Sequence, residues 1–356
     1  MTGWPQPDER AGTITLVLDQ PSTLGPKDDL RDGLSAIACQ GDHLWVANDE
    51  STSLERLTTE GDQARAHQSV DLSRFLELPG EGEIDIEGLD VAGDTLWLLG
   101  SHSSVRKRVK NEHSPDQARK ALAKVEVSQR RQVLARVATT TLLEEGGSRN
   151  GERQRLPVFG PAGGSGGGLL ELLADDPHLE GFIRSQSIPG KDNGIDCEGL
   201  AVTGDQVFIG LRGPVLRGWA VIIELRVGGG PGIEPQPISP EGRLYRKHFL
   251  DLRGLGVRDL CRHGEDLLVL AGPTMELDGR TAVFRWRHAL TTQTEAVLPR
   301  DVLKCEIEVP FGKGEDRAEG ITVLGDGRSL VVYDTPADER KTGDHGVRAD
   351  AFDLRE

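Results

Sequence analysis

Residues 85–100 read DIEGLDVAGDTLWLLG, and this stretch decides the fold because the chain repeats it: DCEGLAVTGDQVFIG begins at Asp196 and RAEGITVLGDGRSLVVYD at Arg317. In each copy a charged residue, a spacer, Glu and Gly lead into a short apolar run. A turn with Gly and Asp follows, then a second apolar run. Self-similarity of this kind marks a repeat architecture, in which each unit buries its apolar faces only against its neighbours.

Aligning on the turn glycine brings out two weaker copies, SAIACQGDHLWVAND from Ser35 and RDLCRHGEDLLVLAG from Arg258. The anchors Gly41, Gly93, Gly204, Gly264 and Gly325 are spaced by 52, 111, 60 and 61 residues. Apolar runs on both sides of a tight Gly-acid turn read as β-hairpins buried on both faces. Three of the intervals suit a four-stranded propeller blade, whose repeats commonly run to about 40–50 residues. Segments such as SLERLTT with HQSVDL, AVIIELRV with YRKHFLDL, and TAVFRWR with VLKCEIEV supply third and fourth strands. In the long interval ALAKVEV and QVLARVA take those places. Beyond them, residues 141–195 read as a Gly-rich loop and a short amphipathic helix.

The expected fold is therefore all-β: one domain over residues 1–356, a five-bladed β-propeller with a loop and helix insertion between blades 2 and 3. A sixth blade within 104–195 is the alternative. The last copy lacks a fourth strand, and GTITLVLD from Gly12 is expected to complete it, joining the first strand to the last and leaving no open edge.

In a propeller the first strand of every blade lines the central channel. Counting back from the anchors places Ser35, Glu87, Glu198, Arg258 and Glu319 at equivalent positions at one mouth. Asn48 and Asp49, Ser101 and His102, Arg212, Thr274 and Asp334 leave the second strands at that same mouth. Three carboxylates converging there repel one another unless a cation or an arginine offsets them. An oxygen-only set suits Ca²⁺ or Mg²⁺, whereas zinc favours Cys or His. Glu87, Glu198 and Glu319 are accordingly the expected metal ligands. Arg212, Arg258, Arg106 and Asn48 are the expected substrate-binding residues, and His102 or Asp334 the expected general base. The alternative keeps the Glu side chains as structural links between blades.

Composition narrows the partners. The net charge of −16 repels polyanions, so nucleic acid is not an expected ligand. No apolar run approaches the roughly 20 residues that span a bilayer, and MTGWPQPDERAG lacks the basic and apolar regions of a signal peptide; a cytoplasmic protein and no membrane contact are expected. The four cysteines show no metal-binding spacing and read as buried apolar residues. GPAGGSGGG lacks the Lys and Ser or Thr of a phosphate-binding loop and reads as a linker. A small anionic ligand is the expected partner, with a protein partner as the alternative.

The three strong copies resemble the bacterial family of domain of unknown function 3616 (DUF3616) over most of the chain. More distantly the Glu-Gly-Leu strands are similar to those of phytase-like, esterase-like and calcium-dependent nucleotidase propellers. That resemblance implies a Ca²⁺ at the channel mouth positioning phosphate and water, with Glu87, Glu198 and Glu319 carried over by position. The function expected is metal-dependent hydrolysis of a phosphorylated or anionic small molecule, the alternative being a non-catalytic ligand- or protein-binding propeller.

Overall fold

Four of the repeated hairpins turn on two residues, Gly41-Asp42, Gly93-Asp94, Gly204-Asp205 and Gly264-Glu265. Their glycines have φ of 59°, 63°, 58° and 62°. That is the first central position of a type II′ turn, which glycine fills without steric cost and whose twist matches that of the paired strands. The fifth hairpin has a longer turn, and its left-handed glycine is Gly327 at 88° rather than the expected Gly325. These features come from a computed structural model describing all residues except 1–4, 26–27, 77–82, 144–147, 150–151, 154–157, 160–167, 186–187, 231 and 356.

Each hairpin begins an antiparallel set of four strands. The first set is Leu34–Gln40, His43–Asn48, Ser53–Glu60 and Gln63–Asp71. The third runs Asp196–Thr203, Gln206–Leu216, Trp219–Val227 and Tyr245–Leu250, and the fourth Gly256–His263, Asp266–Gly272, Thr281–Trp286 and Lys304–Val309. In the fifth, Arg317–Val323, Ser329–Asp334 and Gly346–Phe352 are followed by Gly12–Val17 from the other end of the chain. The first strands pack side by side in the order of the sets, and the last returns to the first. The architecture is a β-propeller.

The second strands show why their sequences are continuously apolar. Leu44 and Val46 face a core shared with the fifth blade, while Trp45 and Ala47 face one shared with the second. Leu96 and Leu98 then face the first blade, and Trp97 and Leu99 the third. Leu268 and Leu270 lie between the fourth and fifth blades, opposite Val269 and Ala271 between the fourth and third. Because strand side chains alternate, a sheet buried on both faces needs apolar residues at every position. Each apolar cluster lies between two neighbouring blades.

The second blade departs from expectation. Its strands are Ile86–Ala92, Thr95–Gly100, Leu134–Ala138 and the two-residue Val158–Phe159. ALAKVEV, expected as an outer strand, instead ends the helix Pro115–Ala123 and forms Val125–Val127, which pairs with Ser104–Arg106 away from the blade. The reason is local. Ser114 caps the helix with Gln117 in a reciprocal capping box and Pro115 occupies the first turn, so this segment has a strong helix start. Residues 101–133 thus leave the blade as an excursion. The expected loop-and-helix insertion supplies the fourth strand of blade 2 and the short helices Gly168–Leu172 and Glu180–Arg184. Leu169, Leu173 and Leu179 from this region join the core between blades 2 and 3. Asp176 fixes it to blade 3, accepting a 2.8 Å hydrogen bond from Tyr245 and lying 2.5 Å from Lys247 Nζ. Among the described residues of 104–195 there is no sixth four-stranded set, and most of the proposed Gly-rich linker, 160–167, lies outside them.

Closure of the ring rests on Gly12–Val17. It pairs with Gly346–Phe352 over six residues and touches the outer strand of blade 1 in parallel, Thr15 opposite Gln63 and Leu16 opposite Ala64. Removing residues up to Gln20 strips two edges at once. We expect that truncated chain to elute as aggregate in size-exclusion chromatography and to lose its cooperative urea transition, whereas an unchanged elution and midpoint would refute this account of closure.

Candidate functional site

Every first strand carries a β-bulge near its start, and the residue left unpaired is Ser35, Glu87, Glu198, Arg258 or Glu319. A bulge re-aims a side chain that regular pairing would send to the other face. The five positions counted from the turns are thus the five set apart by backbone geometry. Glycine follows three of them for want of space. A Cβ on Gly88 would lie 2.8 Å from Leu200 Cβ and 2.9 Å from the carbonyl oxygen of Glu198; one on Gly199 would meet Leu260, and one on Gly320 the backbone of Ile37 at 3.0 Å.

The five side chains do not form one metal site. Arg258 is buried, with its Nε 3.1 Å from Glu198 Oε2 and its guanidinium against Glu319. Arg212 donates to Glu198 Oε1 at 2.8 Å. Glu198 and Glu319 are therefore matched by arginines, and the three-glutamate ligand set is not assembled. Ser35 donates to the carbonyl of Ile86 at 2.6 Å, linking blade 1 to blade 2. Burial opposes the charge on Arg212, but Glu198 and Asp196 more than offset it and raise its pKa; burial and the neighbouring Arg212 lower that of Arg258.

Glu87 has a different company. Its carboxylate, with those of Asp49 and Asp85, presents one oxygen each within 4.8 Å of the others. Asp49 leaves the second strand of blade 1, and Asp85 precedes the first strand of blade 2 with its backbone at φ 58°. Asp85 Oδ2 lies 2.9 Å from Arg131 Nη1. Burial pushes the pKa of Glu87 well up, helped by Glu198, Asp85 and Asp49. Burial, with Asp334 and Asp85, raises that of Asp49 to about 8. Asp196, the counterpart of Asp85 in the third blade, is buried and raised to about 7 by desolvation and Glu198, against the pull of Arg212.

These groups lie along a cavity of about 600 Å³. Its deep part holds Asp85, Asp196 and Arg212, all nearly inaccessible. Its outer part is walled by the 101–133 excursion, with Lys107 and Arg108 exposed, and by Lys191 of the turn Gly190–Asp192, which packs against the strand Ser104–Arg106. Arg106 spans these walls: its Nε donates to Asp192 at 2.7 Å, which makes it a strut. Asp334 adjoins the acidic group through Gly33, which bridges to Asp334 and accepts from Asp49 N–H at 3.1 Å. Asn48 is committed to backbone, donating to Leu30 and accepting from Glu50 N–H. His102 is set apart from this cavity. Its ring is buried against a separate pocket beside Phe182 and Ile195, with Nδ1 2.7 Å from the carbonyl of Gly100, and burial drops its pKa to about 4.

Sequence reasoning placed Asp49 at the mouth without assigning it a role and passed over Asp85, Asp196 and Lys191. The signal for two of them was in the repeat: an acidic residue stands two positions before Glu in both DIEGL and DCEGL.

The profile of a family described as protein of unknown function (DUF3616) matches residues 33–350. No curated protein matches the sequence. Among solved structures, the chain is similar to Myxococcus xanthus glutaminyl cyclase at 12% identity and TM-score 0.41, covering 98% of this chain and 100% of that one. It is similar to a putative oxidoreductase (glucose dehydrogenase) of Thermus thermophilus at 15% identity and TM-score 0.37, covering 92% and 86%. A streptogramin B lyase is similar at 7% identity and TM-score 0.39, covering 95% and 97%.

Two outcomes follow from this division of charge. Glu198→Gln removes the carboxylate that Arg212 and Arg258 share in the interior and should cost about 3–5 kcal/mol in urea unfolding, whereas Glu87→Gln removes one of several crowded carboxyls and should be neutral or stabilising. Equal losses would refute the separation of roles. The second outcome concerns pH. With raised values in the folded state, Asp49 and Asp196 hold protons that the unfolded chain releases, so their contribution is full below the ordinary carboxyl range and is lost as pH rises toward about 8. In the presence of chelator, Asp49→Asn should gain stability relative to wild type between about pH 5 and about pH 8.5; a difference independent of pH would contradict it.

Proposed function

The chain belongs to the family described as protein of unknown function (DUF3616), a membership that fixes no reaction, and from the site we propose a divalent-cation-dependent hydrolase of a small anionic molecule. The observation that carries this reading is the meeting of Asp49, Asp85 and Glu87 oxygens within 4.8 Å in a cavity that Lys107, Arg108 and Lys191 also line. The donor set fits: all ligands are carboxylate oxygens, the chemistry of Ca²⁺ or Mg²⁺. When bound, such an ion supplies charge stabilisation to a phosphoryl or carboxyl oxygen and acidifies water.

The remaining functions fall to the chain's own groups. Burial and neighbouring carboxylates oppose ionisation of Asp49 and Glu87, so a cation held there would displace their protons. Lys191 favours the anionic end of a substrate drawn into the cavity. Asp196, with a pKa of about 7, is suited to take a proton from an attacking water and return it to the leaving group; Asp334 is the second carboxylate available for that role. The pairing of Glu198 with Arg212 and Arg258, and of Glu319 with Arg258, supports a structural role for those two glutamates.

The test is calorimetric. Mg²⁺ or Ca²⁺ at a hundredfold excess over Kd should stabilise the protein by about 2.7 kcal/mol, and Asp85→Asn or Glu87→Gln should remove that increment together with turnover in a screen of phosphoesters and lactones. No response to either ion would overturn the proposal.

A further inference from the structure

Resting on that reading, we infer that the anion has an aliphatic body lying along the wall made by residues 101–133, and is not an aromatic one such as a nucleotide. The argument starts with what lines the wall. Val105, Val109 and Leu122 face the cavity, and Val109 and Leu122 keep 39% and 52% of their surface exposed. Leu122 stands on the short helix Pro115–Ala123 while Val109 follows the strand Ser104–Arg106, so two separate elements bring aliphatic side chains to the same space. Among the described lining residues there is no Phe, Tyr, Trp or His ring. A nucleobase is normally held by stacking on such a ring, and nothing here offers one.

Charge gives the direction. The excursion carries nine Lys and Arg against three Asp and Glu, in a chain whose net charge is −16. Anions are attracted to this wall while the rest of the surface repels them. Inside, the cation-holding group with Lys191 takes the anionic head; the aliphatic body then has the Val105, Val109 and Leu122 side to cover. The Arg106–Asp192 pair and the bond from Arg106 to the carbonyl of Leu122 hold that side in place. The wall is therefore formed before a ligand arrives.

The experiment uses the full chain with saturating Mg²⁺ and measures, by titration calorimetry, the binding of inorganic phosphate, butyl, hexyl and octyl phosphate, and adenosine monophosphate. Affinity should rise about fourfold for each methylene buried along the wall. Leu122→Ser and Val109→Ser should flatten that rise while leaving inorganic phosphate binding unchanged, which separates the wall from the head-group site and shows that the variants fold. Affinity independent of chain length, or tighter binding of the nucleotide than of the alkyl phosphates, overturns the inference and leaves the hydrolase reading standing. Failure of inorganic phosphate to bind the Mg²⁺-loaded protein overturns both.

Discussion

The first strands approach one another around the channel more closely than side chains allow, and much of the molecule follows from that crowding. At Gly88, Gly199 and Gly320 an added methyl would collide with the neighbouring blade. The residue before each glycine is expelled from regular pairing as a bulge and turned elsewhere. Where alanine or aspartate replaces the glycine, as at Ala36 and Asp259, the bulge persists. Asp259 uses its place as a link, accepting hydrogen bonds from Leu260 N–H and from Ile321 N–H of the next blade. Asp90 does the same between blades 2 and 3 with Val202 N–H. Close backbone approach and buried carboxylates bonded to it together set the spacing of the blades.

Gathering charge onto one axis has an electrostatic cost that the chain meets unevenly. On one side Arg212 and Arg258 neutralise Glu198 and Glu319, a buried network whose members are each costly to remove singly. On the other side Arg131 reaches Asp85 but also pairs with Glu83, and Asp49 and Glu87 form no salt bridge among the described residues. Burial with unmatched negative charge raises the pKa values of Asp49 and Glu87. Strongly perturbed carboxyls in a cleft are a mark of functional sites, whereas matched ion pairs serve architecture as often as chemistry. The asymmetry between the two halves of the channel mouth is the physical basis for separating function from structure here.

The excursion of residues 101–133 adds what a bare propeller lacks. It builds a wall with cationic and aliphatic side chains beside the acidic group, and Arg106 braces it against the loop preceding blade 3. Binding surfaces on repeat scaffolds commonly come from such insertions between strands, because the scaffold's own strands are committed to packing.

The repeat, the hairpins and the closure are legible along the chain. Turn glycines at fixed offsets and apolar runs buried on both faces are local signals, readable wherever they occur, and Gly12–Val17 was found because one strand was missing from the count. The sequence also marked the five channel positions, since a bulge at a constant distance from a turn leaves a constant spacing. Which carboxylates act together was decided by the tertiary structure alone. Glu87, Glu198 and Glu319 are equivalent in the repeat, yet Glu198 meets Arg212 of its own blade and Arg258 of the next, Glu319 meets Arg258, and Glu87 meets Asp49 of blade 1 and Asp85 just before its own strand. ALAKVEV, expected as an outer strand, ends the helix Pro115–Ala123 instead, because the Ser114–Gln117 capping box starts a helix just before it. Charge interacts through space and pattern runs along the chain, so the ring could be read from its parts and the site only from their arrangement.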